Sequence, residues 1–86
     1  MTDAIDVDSA SVWPDDADDV VEGYLANWFV REGSAVDEGE TLCEIQVEKV
    51  SIDVAAPATG TVTEILVAEG GDFDRGDVLA RVQPSA

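Results

Sequence analysis

Displacing the chain so that Gly23 falls on Gly60 lays residues 23–46 over residues 60–83 without a gap. Glu32-Gly33 then coincides with Glu69-Gly70, Asp37-x-Gly39 with Asp74-x-Gly76, Leu42 with Leu79 and Gln46 with Gln83. The apolar positions follow: Leu25 with Val62, Trp28 with Ile65, Phe29 with Leu66, Val30 with Val67, Val36 with Phe73 and Ile45 with Val82. Two copies of one unit predict two similar half-structures related by a pseudo-two-fold axis. Their punctuation is that of β structure. The Glu-Gly pairs close one strand, because glycine accepts positive φ at little cost, and Asp-x-Gly makes the next turn. In both copies the apolar phase slips at the same place, Leu25 then Trp28 and Val62 then Ile65, which predicts a β-bulge that bends each strand. The expected fold is all-β: a flattened barrel or sandwich of two four-stranded antiparallel sheets.

Between the copies lies a connector, residues 47–59, and it carries the only lysine of the protein, Lys49. Before it, Thr41, Cys43, Ile45 and Val47 alternate with Leu42, Glu44 and Gln46; after it, Val50, Ile52 and Val54 alternate with Ser51, Asp53 and Ala55. Period-two patterning on both sides predicts two strands joined at Glu48-Lys49, with the lysine on the tip of a tight hairpin. A flexible four-carbon stem ending in an amine, standing clear of the sheet, is a tether point. By the pseudo-symmetry, the opposite end of the molecule is where the two chain ends should meet.

The totals limit what such a tip can serve. Eighty-six residues, 45% of them apolar but only 6% aromatic, make one small β domain rather than an enzyme core. Twenty acids against 4 bases give a formal charge of −16, so nucleic acid and anionic membrane surfaces are excluded as partners by repulsion. Without histidine the commonest general base and metal ligand is missing, and no metal site is expected. Cys43 stands alone in phase with Ile45 and Val47, as a small buried side chain. The acidic start has neither a basic leader nor an apolar run long enough to span a membrane, so a cytoplasmic location is expected. Residues 1–9 are expected to be flexible, residues 10–13 to form a first strand ended by Pro14, residues 10–83 to form the domain, and residues 84–86 to be a tail or the start of a linker.

The order Glu-Gly, Asp-x-Gly, Leu, strand, turn lysine, strand, Ala56-Pro57-x-x-Gly60, and then the same pattern again, resembles the biotinyl/lipoyl-attachment family over residues 11–83. Biotin carriers usually set the target lysine between methionines, whereas here Glu48 and Val50 flank it and the only methionine is Met1. Lipoyl domains of 2-oxo acid dehydrogenase complexes usually show Glu-Thr-Asp-Lys-Ala; Gln46-Val47-Glu48-Lys49-Val50 keeps the acid and the lysine and departs at the other three positions. The resemblance implies lipoate in amide linkage on Lys49, Glu48 as the recognition residue beside it, and Val47 and Val50 as flanks that hold the turn. It implies a monomeric carrier, not itself an enzyme, modified by a lipoate ligase or lipoyl transferase. It also implies service to a thiamine-dependent 2-oxo acid decarboxylase, a dihydrolipoamide acyltransferase core and dihydrolipoamide dehydrogenase. In such carriers the loop after the first strand lies near the lysine turn and helps the decarboxylase choose its carrier; here that loop is residues 14–21, with Asp15, Asp16, Asp18 and Asp19.

Two other readings stay open on the residues alone. One is a biotin carboxyl carrier domain; the other is an unmodified β-sandwich adaptor in which Lys49 has no special role. The acids likewise have two readings, a plain solvated surface or an adaptation to a salty cytoplasm in which screening removes self-repulsion. The second is a hypothesis, motivated by the charge of −16. It predicts a melting temperature that climbs steeply from dilute buffer to molar salt, and a flat curve would remove it.

Overall fold

The computed structural model describes residues 3–17 and 19–85, with the side chain of Asp16 left aside. Eight strands follow one another: β1 (Ile5–Asp8), β2 (Glu22–Trp28), β3 (Ala35–Val36), β4 (Thr41–Val47), β5 (Val50–Ala55), β6 (Gly60–Ile65), β7 (Asp72–Asp74) and β8 (Val78–Pro84). Two short 3-10 turns, Ser9–Val12 and Asp15–Ala17, separate β1 from β2. One four-stranded sheet has the order β1-β8-β6-β3 and the other β5-β4-β2-β7, with every pairing antiparallel. The sheets face each other without closing into a barrel. No helix among the described residues is long and apolar enough to cross a membrane.

The sequence repeat is the symmetry of this sandwich. β2 corresponds to β6, β3 to β7 and β4 to β8, and each copy places its short strand on the edge of the other copy's sheet. The expected bulges are present: register slips between Leu25 and Asn27 in β2 and between Val62 and Glu64 in β6. A second matched pair lies at Leu42 in β4 and Leu79 in β8, where one extra residue faces β5 and β1. That second bulge corrects the strict alternation expected in β4. Leu42 and Cys43 both turn inward and are fully buried, as are Leu79 and Ala80, since a bulge places two successive residues opposite one partner. Leu25, Ile45, Val47, Val54, Val62, Leu79 and Val82 share one contiguous core between the sheets. Gly33 and Gly70, at equivalent turns, have φ of 92° and 84°, where glycine relieves the clash an L side chain would meet.

The N-terminal expectation is corrected. The first strand is Ile5–Asp8, inside the stretch expected to be flexible, while Ser9–Val12 is a 3-10 turn rather than a strand. Val7 is buried opposite Ala80, and Arg81 reaches across to Asp6 at 2.9 Å. Short polar side chains then take over the backbone. The Ala10 N–H donates to the Asp8 carboxylate (2.9 Å), and the Ser11 hydroxyl donates to the Asp8 carbonyl (2.7 Å). Ser9 is fully buried with its hydroxyl satisfied, accepting from the Gly76 N–H at 2.9 Å and donating to the Asp74 carbonyl at 3.4 Å. At the other end β8 runs one residue past the expected boundary, to Pro84 opposite Gly60. Ala86, in the expected tail, lies outside the described residues, as do Met1 and Thr2.

Burial pushes the Cys43 thiol up from 9.0 to about 12. The folded state thus holds this proton more tightly than the unfolded chain does. Its contribution to stability is therefore fully present below pH 9 and is lost as pH rises toward 12. Native protein at pH 8 should leave the thiol unmodified by a disulfide reagent and release one reactive thiol in denaturant. Rapid labelling of the native protein would contradict this burial.

Candidate functional site

β4 and β5 pair in continuous register from Glu44 opposite Asp53 to Val47 opposite Val50, which leaves only Glu48 and Lys49 to turn the chain. Val47 is fully buried, whereas Glu48, Lys49 and Val50 are exposed. Glu48 lies in the left-handed region with φ of 55°, the only non-glycine among the described residues to do so. A side chain pays roughly 1–2 kcal/mol for that conformation. Full burial of one valine is worth about 1.5–3 kcal/mol, so anchoring Val47 is enough to hold the turn in it. The Lys49 ammonium group has neither an ion pair nor a hydrogen bond among the described residues. An exposed, untethered primary amine on a rigid neck is chemically suited to acylation by a carboxylic-acid cofactor.

Lys49 also stands at one end of a long molecule, with principal extents of 38 × 21 × 18 Å. Tyr24 pairs with Gln46 and Glu22 with Asp74, so the start of β2 and the end of β7 lie at the lysine end. A turn closed by the Asp77 N–H on the Asp74 carbonyl (2.9 Å) starts β8 there. β8 then runs away from the lysine and finishes beside the beginning of β1, with Ile5 opposite Val82. The chain ends thus emerge at the end remote from Lys49.

Two unlike surfaces flank the turn. On one side, Glu22, Tyr24, Gln46, Glu48 and Asp72 rim a shallow acidic cleft over Gly23. On the other, Pro14, just before the second 3-10 turn, and Ala17, within it, close against Val47, Glu48, Lys49 and Val50. The loop expected near the lysine is therefore beside it. Asp15 and Asp19 are exposed in that loop, while Asp18 lies outside the described residues and the Asp16 side chain is not described.

What holds the loop there was not apparent from the sequence. Trp13, the last residue of the strand expected over residues 10–13, instead donates its indole N–H to the Ala17 carbonyl at 3.1 Å. Its ring meets Phe73 edge to face at 6.2 Å and 82°, and the Arg75 guanidinium lies 6.0 Å above it. Phe73 occupies the space that a side chain at position 23 would need. The one available signal was Trp13-Pro14, an aromatic residue before a residue that cannot continue a ladder, but nothing local named its partners. Trp28, which the repeat aligns with the apolar Ile65, is half-buried, and its indole N–H donates to the Val67 carbonyl at 2.8 Å. That bond ties the two repeats together.

The sequence model of the biotin/lipoyl family described as "Biotin-requiring enzyme" matches residues 12–82. The dihydrolipoyllysine-residue acetyltransferase component of the pyruvate dehydrogenase complex from Staphylococcus aureus is 35% identical over 69 residues, covering 80% of this chain and 16% of that protein. The component of the same name from Staphylococcus epidermidis matches to the same extent. The chain therefore spans about a sixth of the length of these curated relatives. Among solved structures, the lipoyl domain of the 2-oxoglutarate dehydrogenase complex from Azotobacter vinelandii superposes with a TM-score of 0.77. It has 28% identity and covers 96% of this chain and all of that one.

The packing chain from sheet to loop makes a prediction. A Cβ at position 23 would sit 2.6 Å from the Phe73 ring, so Gly23→Ala must push that ring toward Trp13. The variant should lose about 1–3 kcal/mol, the usual cost of overpacking. It should also shift the amide resonances of residues 15–17. A shift confined to β2 and β7 would mean that the loop is held by something else.

Proposed function

Because this chain belongs to the biotin/lipoyl-attachment family and has the fold of its lipoyl domains, we propose that it is a cytoplasmic lipoyl carrier modified on Lys49. The observation that carries this reading is the placement of the sole lysine: exposed at the apex of β4–β5 and remote from both chain ends. Joined there by an amide, lipoate supplies a disulfide that accepts an acyl group and a pair of electrons together. Acylation of Nζ displaces the activating group from the lipoate carboxyl and releases a proton, which lowers the formal charge by one from −16.

The rest of the turn serves this attachment. Val47, buried, and Val50, opposite it, fix the neck. Glu48, held in its left-handed conformation, projects a carboxylate beside the amine for the lipoate ligase or lipoyl transferase to read. The domain itself makes no bonds; it gives the tethered group a high effective concentration at each enzyme it visits. Those enzymes are a thiamine-dependent 2-oxo acid decarboxylase, a dihydrolipoamide acyltransferase core and dihydrolipoamide dehydrogenase. The staphylococcal relatives, named as acetyltransferase components of a pyruvate dehydrogenase complex, support that set. The acids exposed beside the turn suit basic partner surfaces, since opposite charge speeds encounter.

Intact mass of protein made in its own host tests the reading: one lipoyl group is expected, whereas a biotinyl group or no addition would replace it with one of the other two readings. Lys49→Arg should abolish both the modification and acyl transfer while leaving the melting temperature unchanged. Glu48 separates recognition from folding. Glu48→Gln should slow lipoylation by about tenfold or more, the scale of one lost charge-assisted contact. Glu48→Gly should slow it as much, yet fold as well or better, by up to about 1 kcal/mol, because the backbone strain is relieved. Normal lipoylation of both variants would remove Glu48 from the recognition site.

A further inference from the structure

The cleft on the loop side of Lys49 has no part in the carrier chemistry derived above. It measures about 170 Å³, and the described residues that line it are Pro14, Ala17, Val47, Glu48, Lys49 and Val50. Four of these six side chains are apolar, and Val50 leaves 46% of its surface open to solvent. We infer that this cleft seats the apolar part of the lipoyl arm of the same molecule, folded back from Lys49 whenever no partner enzyme holds it. The inference rests on the lipoyl-carrier reading of Lys49.

Three features commit the cleft to this occupant. Lys49 is itself one of its walls, so the arm is delivered without a search. A short flexible tether gives effective concentrations on the order of 1 mM, at which even a contact with a dissociation constant of about 1 mM is half occupied. The size fits, since a cavity of about 150 Å³ admits benzene and the five-membered dithiolane ring is smaller. The chemistry has a direction as well. A methylene chain and a ring of low polarity gain from leaving water against Pro14 and Val50, which are the apolar walls that reach the surface. The opposite flank adds Glu22 and Asp72 to the Glu48 that both flanks share, and these carboxylates prefer to stay hydrated. The seat is shallow and weak, as an arm that must leave it requires.

The test uses lipoylated protein whose modification is first verified by intact mass. Nuclear Overhauser cross-peaks are expected between the arm methylenes and both the Val50 methyls and the Pro14 ring, with arm relaxation slower than that of free lipoamide in the same buffer. Pro14→Asp, which puts a charge in the cleft, should cut those cross-peaks at least about threefold, the scale expected when a half-occupied contact is lost. The amide shifts of the strands should stay in place. Should that variant perturb the fold, Pro14→Ala is expected to give a smaller cut by removing part of the wall. No cross-peak to Val50, together with relaxation equal to that of free lipoamide, would overturn the inference and leave the carrier reading intact. A mass without a lipoyl group would instead overturn the carrier reading, and this inference with it.

Discussion

The burial of Val47 opposite an exposed Val50 is the constraint on which the functional end of this molecule depends. It fixes the register of β4 against β5, and with it the length of the turn at two residues. A slip of one position would carry Ile45 and Val47 to the solvent face and turn Glu44 and Gln46 inward. Two buried aliphatic side chains would then be lost at about 1.5–3 kcal/mol each. The left-handed backbone at Glu48 costs less than that, so the strained turn persists and the core beneath it keeps Lys49 outside. Reach comes from the flexible side chain, and aim comes from the rigid strands beneath it.

Features that repeat or alternate were legible in the sequence; features that depend on distant partners were not. The bulges at residues 26 and 63 could be read because the apolar phase slips identically in two copies, and the hairpin because period two breaks only at Glu48-Lys49. β1 was hidden because Asp6 and Asp8 surround a single buried residue, Val7, whose strand partner Ala80 lies near the other end of the chain. Ser9 reads locally as a loop residue, yet it is fully buried because the Asp74 carbonyl accepts from its hydroxyl and the Gly76 N–H donates to it. Trp13 and Phe73 are likewise separated by most of the sequence, so the clamp on the loop beside Lys49 has no local trace. The site was thus half visible: the amine and its neck, but not the wall beside it.

Scarce cations sit at the joints of this strongly acidic protein. Arg81 bridges Asp6 in β1 and Glu64 in β6, and these hydrogen bonds raise its already high pKa. The bridge fastens the edge strand that carries the N-terminal end, but it is exposed, so salt screens it as it does other surface pairs. Salt equally screens the repulsion among 20 acids. The two effects oppose each other, and their numbers differ: 4 basic residues can bridge only a minority of the 20 acids, whose like charges are spread over the surface. Screening should therefore relieve more strain than it removes support, which makes the balance of acids and bases compatible with a salt-rich setting.

The two flanks of Lys49 divide the work of a carrier. The acidic side, built on the outer face of β2, β4 and β7, is rigid because every residue that forms it lies on a strand or at the turn. The apolar side depends on a 3-10 turn that Trp13 holds by one hydrogen bond and one edge-to-face contact. A charged surface on fixed strands can present the same pattern to each enzyme it meets. A wall packed through side chains from a turn is free of the strand ladder, and on the carrier reading it is the side on which a lipoyl arm would rest. Because Phe73 links that wall to Gly23 in the sheet, the packing of β2 against β7 sets where the apolar side rests. Selectivity and release can therefore be tuned by different residues, although both act within reach of one amine.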